Sequence, residues 1–196
     1  SINLADDPEL LRSLSDTNFF AIFVGIESPD TDSLVLMQKK QNTRRSLQQS
    51  IETIHRAGIF VNAGFIVGFD SEKDSVAQGM IDCIEDTSIP VCMVGLLYAL
   101  PTTQLTRRLL AEGRLFSGNE QTQSGDQCTA GLNFKTKRPR RAILNDYRTV
   151  LATIYASSAY FGRVRRLGRM FRRERAHRMI RGDLRRFFRL MGRFHQ

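Results

Sequence analysis

The chain has 196 residues, 41% of them hydrophobic, which leaves room for one packed domain or for a moderate domain with an extension. No run approaches the roughly 18 consecutive apolar residues of a spanning helix, and the first residues lack the charged and apolar segments of a signal peptide. Three scattered cysteines, Cys83, Cys92 and Cys128, exclude a disulfide framework, and with three unpaired histidines they give no metal-ligand spacing.

The net charge of +9 is unevenly distributed. From Phe161 to Gln196 there are 13 Arg against two acids, so this tail alone carries +11 and the preceding 160 residues carry −2. Composition therefore separates a nearly neutral body from a basic tail.

Taken in chain order, Leu10, Leu11 and Leu14 recur at helical spacing over Asp7 to Ser15, with Asp7 as a cap and Pro8 suited to the first turn. Phe19 to Ile26 is a near-continuous apolar run, the pattern of a parallel strand buried on both faces. Asn42-Thr43 reads as a capping pair for a helix carrying Leu47, Ile51, Ile54 and Ala57 and stopped by Gly58. A second buried strand is predicted over Ile59 to Phe69, then a helix from Glu72 to Asp86, a strand from Val91 to Leu97, and a helix from Thr103 to Glu112 closed by Gly113. This alternation predicts an α/β fold of β-α-β units with a parallel sheet. Arg114 to Arg138 reads as a long loop or connection. Pro139 opens an amphipathic helix with Ile143, Tyr147, Val150, Leu151 and Ile154 on one stripe.

In the tail, Tyr160, Val164, Leu167 and Phe171 form one helical stripe, and Ile180, Leu184, Phe187, Phe188, Met191 and Phe194 form another. The tail reads either as helix packed on the barrel with its arginines in water or as a binding surface; of the binding partners an anionic membrane surface is favoured over nucleic-acid phosphates, because the second stripe holds three Phe and no nucleic-acid fold accompanies it. The arginines expected at such a surface are Arg165, Arg166, Arg172, Arg173, Arg185 and Arg186.

Ligands of parallel α/β folds bind where strands end. Three ends carry polar or glycine-rich sequence: Gly25-Ile26-Glu27-Ser28-Pro29, Gly64-Phe65-Ile66-Val67-Gly68-Phe69-Asp70, and Leu97-Tyr98-Ala99-Leu100-Pro101-Thr102-Thr103. With Asn3 to Leu11, Gln41-Asn42-Thr43, Ala57-Gly58-Ile59 and Glu112-Gly113-Arg114-Leu115, and in this order, they resemble the second half of the radical S-adenosylmethionine barrel, in the class that carries a cobalamin-binding domain.

That resemblance implies a partial (β/α) TIM-like barrel over residues 1–116, a linker over 117–138 and a helical accessory region over 139–196. It implies that Glu27 and Ser28, beside Gly25, approach the ribose and methionine parts of S-adenosylmethionine, and that Gly64, Ile66 and Gly68 lie near its adenine. It implies a parent enzyme that cleaves this cofactor to a 5′-deoxyadenosyl radical, with methyl transfer to an unactivated carbon when cobalamin takes part. The implied partners are an amino-terminal barrel half in cis or in trans, an electron donor, and a small-molecule or lipid substrate. The sequence departs from the family pattern twice. It holds no CxxxCxxC motif for a four-iron four-sulfur cluster, whose ligands are expected upstream of Ser1 in a longer cytoplasmic protein. It also has Thr102 where the family has Pro-Gly-Thr. The competing reading is a non-catalytic half-barrel module whose basic tail does the binding. An acid-base barrel is disfavoured because no carboxylate pair, His or Lys recurs at more than one strand end.

Overall fold

In the computed structural model, residues 2–29, 46–116, 131–171 and 189 are described. The predicted cap holds at the start: Asp7 Oδ1 accepts from Leu10 N at 2.9 Å, and Pro8 opens α1, Pro8–Asp16. Strand β1, Ala21–Glu27, is followed after the undescribed stretch by α2, Leu47–Arg56. Asn42 and Thr43 lie outside the described residues, and Ser46 caps α2 by accepting from Gln49 N. Gly58, at a φ of 79°, ends that helical segment as expected.

Strand β2, Phe60–Val67, α3, Ala77–Thr87, β3, Cys92–Leu96, and α4, Gln104–Ala111, complete the alternation. Helix α3 begins five residues later than the pattern suggests. The chain before it is held by side chains instead: Glu72 turns back to accept from the amides of Gly68 and Phe69, and Asp146 accepts from Val76 N and Ser75 Oγ. Backbone donors satisfied by side chains do not need a helical turn.

The sheet is parallel with strand order β1-β2-β3, and Gly25 lies in register with Gly64, which in turn lies opposite Met93. Val24, Ile26, Val61, Ala63, Phe65, Val67, Cys92, Val94 and Leu96 fill one face of the core. Helix α5, Arg140–Ile154, packs against α3, β2 and β3, burying Ile143, Val150 and Ile154 on the stripe read from sequence. Helix α6, Ser157–Met170, follows and leans on α2 and α5. The result is the α/β arrangement that the alternation predicts, consistent with the partial barrel and helical extension that the resemblance implies.

Burial on both sheet faces, expected from the apolar runs, does not hold among the described residues. On the face away from the helices Phe23 and Met93 are each 57% exposed, and Gly25, Asn62, Gly64 and Ile66 are only part-buried. Such an open apolar sheet face belongs to a barrel portion rather than to a closed sheet.

No helix among the described residues is long and apolar enough to cross a membrane. His55, on the inner side of α2, is fully buried with neither ring nitrogen hydrogen-bonded, and burial pushes its pKa down to about 4. The unfolded ring binds a proton below about 6.5 while the folded ring stays neutral until about 4, so stability present above the unfolded value is lost as pH falls through this window. The loss amounts to roughly 3 kcal/mol. The unfolding midpoint is expected to drop between those pH values, and His55→Leu should flatten the slope; a slope unchanged in that variant assigns it to another group.

Candidate functional site at the strand ends

The end of β1 is irregular in a specific way. Gly25 pairs with Gly64 but Glu27 pairs with Phe65, so Ile26 is an extra residue and the strand bulges. Glu27 then adopts a φ of 73°, a left-handed conformation that costs a non-glycine residue of order 1–3 kcal/mol. Ser28 N donates to Ile26 O at 3.0 Å, and Ser28 itself is buried. Backbone strain of this kind gathers at ligand-binding turns, where the surroundings hold the chain in place.

Beside this bulge the two paired glycines contribute no side chain of their own to the open sheet face. A Cβ on Gly64 would lie 2.9 Å from Cζ of Phe23, so the missing side chain is what lets the Phe23 ring lie across the strand. Gly25, Glu27, Gly64 and Ile66 are thus brought together at one end of the open face.

Gly68 is closed in by packing. Its φ is +107°, and a Cβ there would lie 2.7 Å from Cδ2 of Leu132, so Leu132 seals the position from the accessory segment. The glycine at 68 answers to backbone geometry and protein packing.

The loop after β2 holds charged groups that no local pattern announces. Glu72 Oε1 accepts from Gly68 N at 2.8 Å and Phe69 N at 3.0 Å, while its Oε2 accepts from Arg138 Nη1 at 2.9 Å. Arg138 Nη2 donates to Asp146 Oδ2 at 2.7 Å, and Asp146 Oδ1 accepts from Ser75 Oγ at 2.7 Å. Burial pushes the Glu72 carboxyl above its usual range, against the pull of its amide and Arg138 donors. A second pair lies nearer the surface: Arg114 clasps Asp70 with bonds of 2.7 and 2.6 Å, joined by Arg108 at 3.0 Å. Burial tends to raise Asp70, but the Arg114 bond and the charges of Arg114, Arg108 and Lys137 outweigh it and hold the carboxyl below the usual range. These acids are committed to arginines and tie separate elements together.

Further bonds attach the segment from 131 to 138, the end of the stretch read as a linker. Asn133 Oδ1 accepts from Ala99 N at 2.8 Å while its Nδ2 donates to Ala99 O at 3.1 Å, and Leu132 N donates to Leu97 O at 2.7 Å. Gly131 is pressed on Leu96, since a Cβ there would meet the Leu96 Cβ at 2.2 Å. A cleft of 370 Å³ opens beside this assembly between Pro29 and the loop of Ser71, Lys73 and Ser75.

Thr102, which stands where the family pattern has glycine, adopts a φ of 66°. The loop keeps a left-handed turn that a β-branched residue fits poorly. Thr103 still caps α4, accepting from Thr106 N at 3.3 Å.

The thiols do not suit a cluster. Cys92 is buried and Cys83 partly so, and burial pushes both pKa values up to about 12. Cys128 lies outside the described residues, among which no group of His, Cys, Asp and Glu converges on a metal position. Of the arginines expected at an anionic surface, Arg165 is exposed and Arg166 is 44% exposed but bonded to Glu85 Oε2 at 2.6 Å and Ser88 Oγ at 3.0 Å. Arg172, Arg173, Arg185 and Arg186 lie outside the described residues.

Two substitutions check this account. Arg138→Ala strands two buried carboxylates and should lower stability by about 3–5 kcal/mol in chemical denaturation. Thr102→Gly relieves the left-handed threonine and should raise stability by about 1 kcal/mol; a neutral or lower midpoint would contradict the strain assigned to that turn.

A family model described as a domain of unknown function, DUF4070, matches residues 103–194, from α4 onward. The chain is 39% identical over 163 residues to an uncharacterized methyltransferase of Synechocystis, an alignment covering 83% of this chain and 30% of the relative. It is 36% identical over 126 residues to a hopanoid C-2 methylase of Rhodopseudomonas palustris, covering 64% of this chain and 24% of that protein. It is 26% identical over 103 residues to a bacteriochlorophyllide d C-12(1)-methyltransferase of Chlorobaculum tepidum, covering 53% and 23%. The chain thus spans less than a third of the length of each relative. The strand-end sequences and these likenesses to named methyltransferases together support a radical S-adenosylmethionine protein of the cobalamin-binding-domain class.

Proposed function

We propose that this chain supplies the S-adenosylmethionine-binding strand ends of a longer methyltransferase that uses radical chemistry. The observation that carries the reading is the bulged, left-handed turn at Glu27 beside the Gly25–Gly64 pair on the open sheet face. A carboxylate presented by a strained turn accepts hydrogen bonds from ribose hydroxyls or an ammonium group. The Phe23 ring, seated over the side-chain-free Gly64 with Ile66 on the same face, offers a flat apolar surface on which a purine can stack. In this reading Glu27 and Ser28 orient the ribose and methionine parts, Gly64 and Ile66 meet the adenine, and Gly68 acts one step removed by setting the path of the loop.

Bound there, S-adenosylmethionine supplies the transferable methyl group and, on reductive cleavage, the radical that activates an unreactive carbon. The iron-sulfur cluster that delivers the electron finds no fitting thiols among the described residues, so its ligands are assigned to a CxxxCxxC motif elsewhere in the protein. An electron donor and, for methyl transfer, cobalamin complete the set. The three relatives' names all describe methyl transfer, which favours this outcome over rearrangement or cyclisation.

The test joins the chain in frame to the coding sequence preceding Ser1 and reconstitutes the product anaerobically. Cluster absorbance and formation of 5′-deoxyadenosine are expected, and Glu27→Ala should lower that product at least about tenfold, near 1.4 kcal/mol of lost transition-state stabilisation. Undiminished turnover in the Glu27 variant would remove the residue from the site, and an upstream sequence without the three cysteines would remove the enzyme reading.

A further inference from the structure

Helix α6 is turned against its own hydrophobicity. Its inner side holds Arg163, fully buried, which donates to Ile89 O at 2.9 Å, to the Ile154 carbonyl and to the Glu85 carboxylate. Leu167, 7% exposed, lies one turn on, and Arg166 bonds the same Glu85. These anchors fix the rotation of the helix. At 100° per residue they force Phe161, Val164, Arg165 and Gly168 to the outside. There Phe161 is 55% exposed and Val164 37%, while Tyr155, at the preceding corner, is 44% exposed. The Tyr160 ring joins them, 5.2 Å from Phe161 edge-on and 6.3 Å from Tyr155.

A helix selected only to pack on this body would bury the phenylalanine and valine and leave the arginine in water, since an arginine inside costs desolvation and an exposed phenylalanine forgoes burial. The opposite arrangement leaves an outer apolar face that the described residues do not cover. Arg165, exposed on the same face, has no bonded partner among the described residues, and a Cβ on Gly168 would meet nothing within 4 Å, so no internal contact accounts for that glycine. The chain from Phe161 onward carries a net +11.

We propose that the outer face of α6, made of Phe161, Val164, Arg165 and the Tyr155–Tyr160 corner, rests on an anionic lipid bilayer, with the aromatic rings in the interface and the arginine at the headgroups. Exposed aromatic and aliphatic groups interleaved with cations are what an interfacial helix requires. Nucleic acid draws its affinity from phosphates neutralised by cations, which leaves Phe161 and Val164 without a role. The surface is independent of the methyl-transfer reading, and the chain itself suffices to test it.

The experiment is sedimentation of the full chain with phosphatidylcholine vesicles that contain one-third phosphatidylglycerol, against pure phosphatidylcholine. Binding to the mixed vesicles alone is expected, and the Phe161→Ser, Val164→Ser double variant should lower the partition coefficient about tenfold, because the lost apolar burial scales with area. The chain has no tryptophan, so Phe161→Trp gives a single emission that should shift to the blue on the mixed vesicles. A double variant that partitions like the parent overturns the proposal, as does Trp emission that keeps its aqueous position while the protein sediments. Retention on single-stranded RNA without vesicle binding also overturns it.

Discussion

The carboxylate of Glu72 sits where β2 ends, and three parts of the chain meet on it. Through Oε1 it holds the amides of Gly68 and Phe69, which fixes the exit path of the central strand. Through Oε2 it holds Arg138, whose second nitrogen reaches Asp146 on α5, and Asp146 in turn holds Ser75 and Val76 at the start of α3. One chain of charge-assisted bonds therefore sets the strand end, the start of α3 and the seat of the accessory helix. Buried charges of this kind are costly to expose singly, so the pieces tolerate displacement only together.

That joint explains why the accessory region cannot be treated as an appendage. Leu132 reaches Gly68 and Asn133 brackets Ala99, so the segment before α5 closes over the ends of β2 and β3. Tyr155, after α5, both donates to and accepts from the Cys92 backbone at the start of β3. The accessory region thereby satisfies backbone groups at the start of β3 and just past its end, which would otherwise offer a template for unwanted pairing. What stays open is the opposite face, with its glycine pair and the bulged turn at Glu27. The body is closed wherever packing is needed and open where strand-end sequence resembles a cofactor site.

Charge follows a similar division. The basic tail reads from composition as a uniform surface, yet its first helix spends one arginine inside. Arg163 satisfies the carbonyls of Ile89 and Ile154, and Glu85 neutralises it while also binding Arg166. Arginine can be used inside because its planar fork keeps several donors bonded at once. The price is paid by Phe161 and Val164, which the same rotation sends outward.

The sequence by itself determined the order of strands and helices, the α/β class, and the helix limits set by Asp7, Gly58, Thr103 and Gly113, because these follow from periodicity and from backbone preferences within a few residues; the family resemblance rests on the strand-end residues. It also marked Thr102 as out of place, and the left-handed turn there gives the reason. Only the tertiary structure decided that Gly68 serves Leu132, that Asp70 and Glu72 belong to Arg114 and Arg138, that α3 starts late, and that the inner stripe of α6 is Arg163 with Leu167. Each of these rests on partners 44 to 78 residues apart or on the rotation of a helix about its axis. Neither separation nor rotation leaves a trace in local pattern, since an arginine that will be buried against a carboxylate is written with the same letter as one left in water.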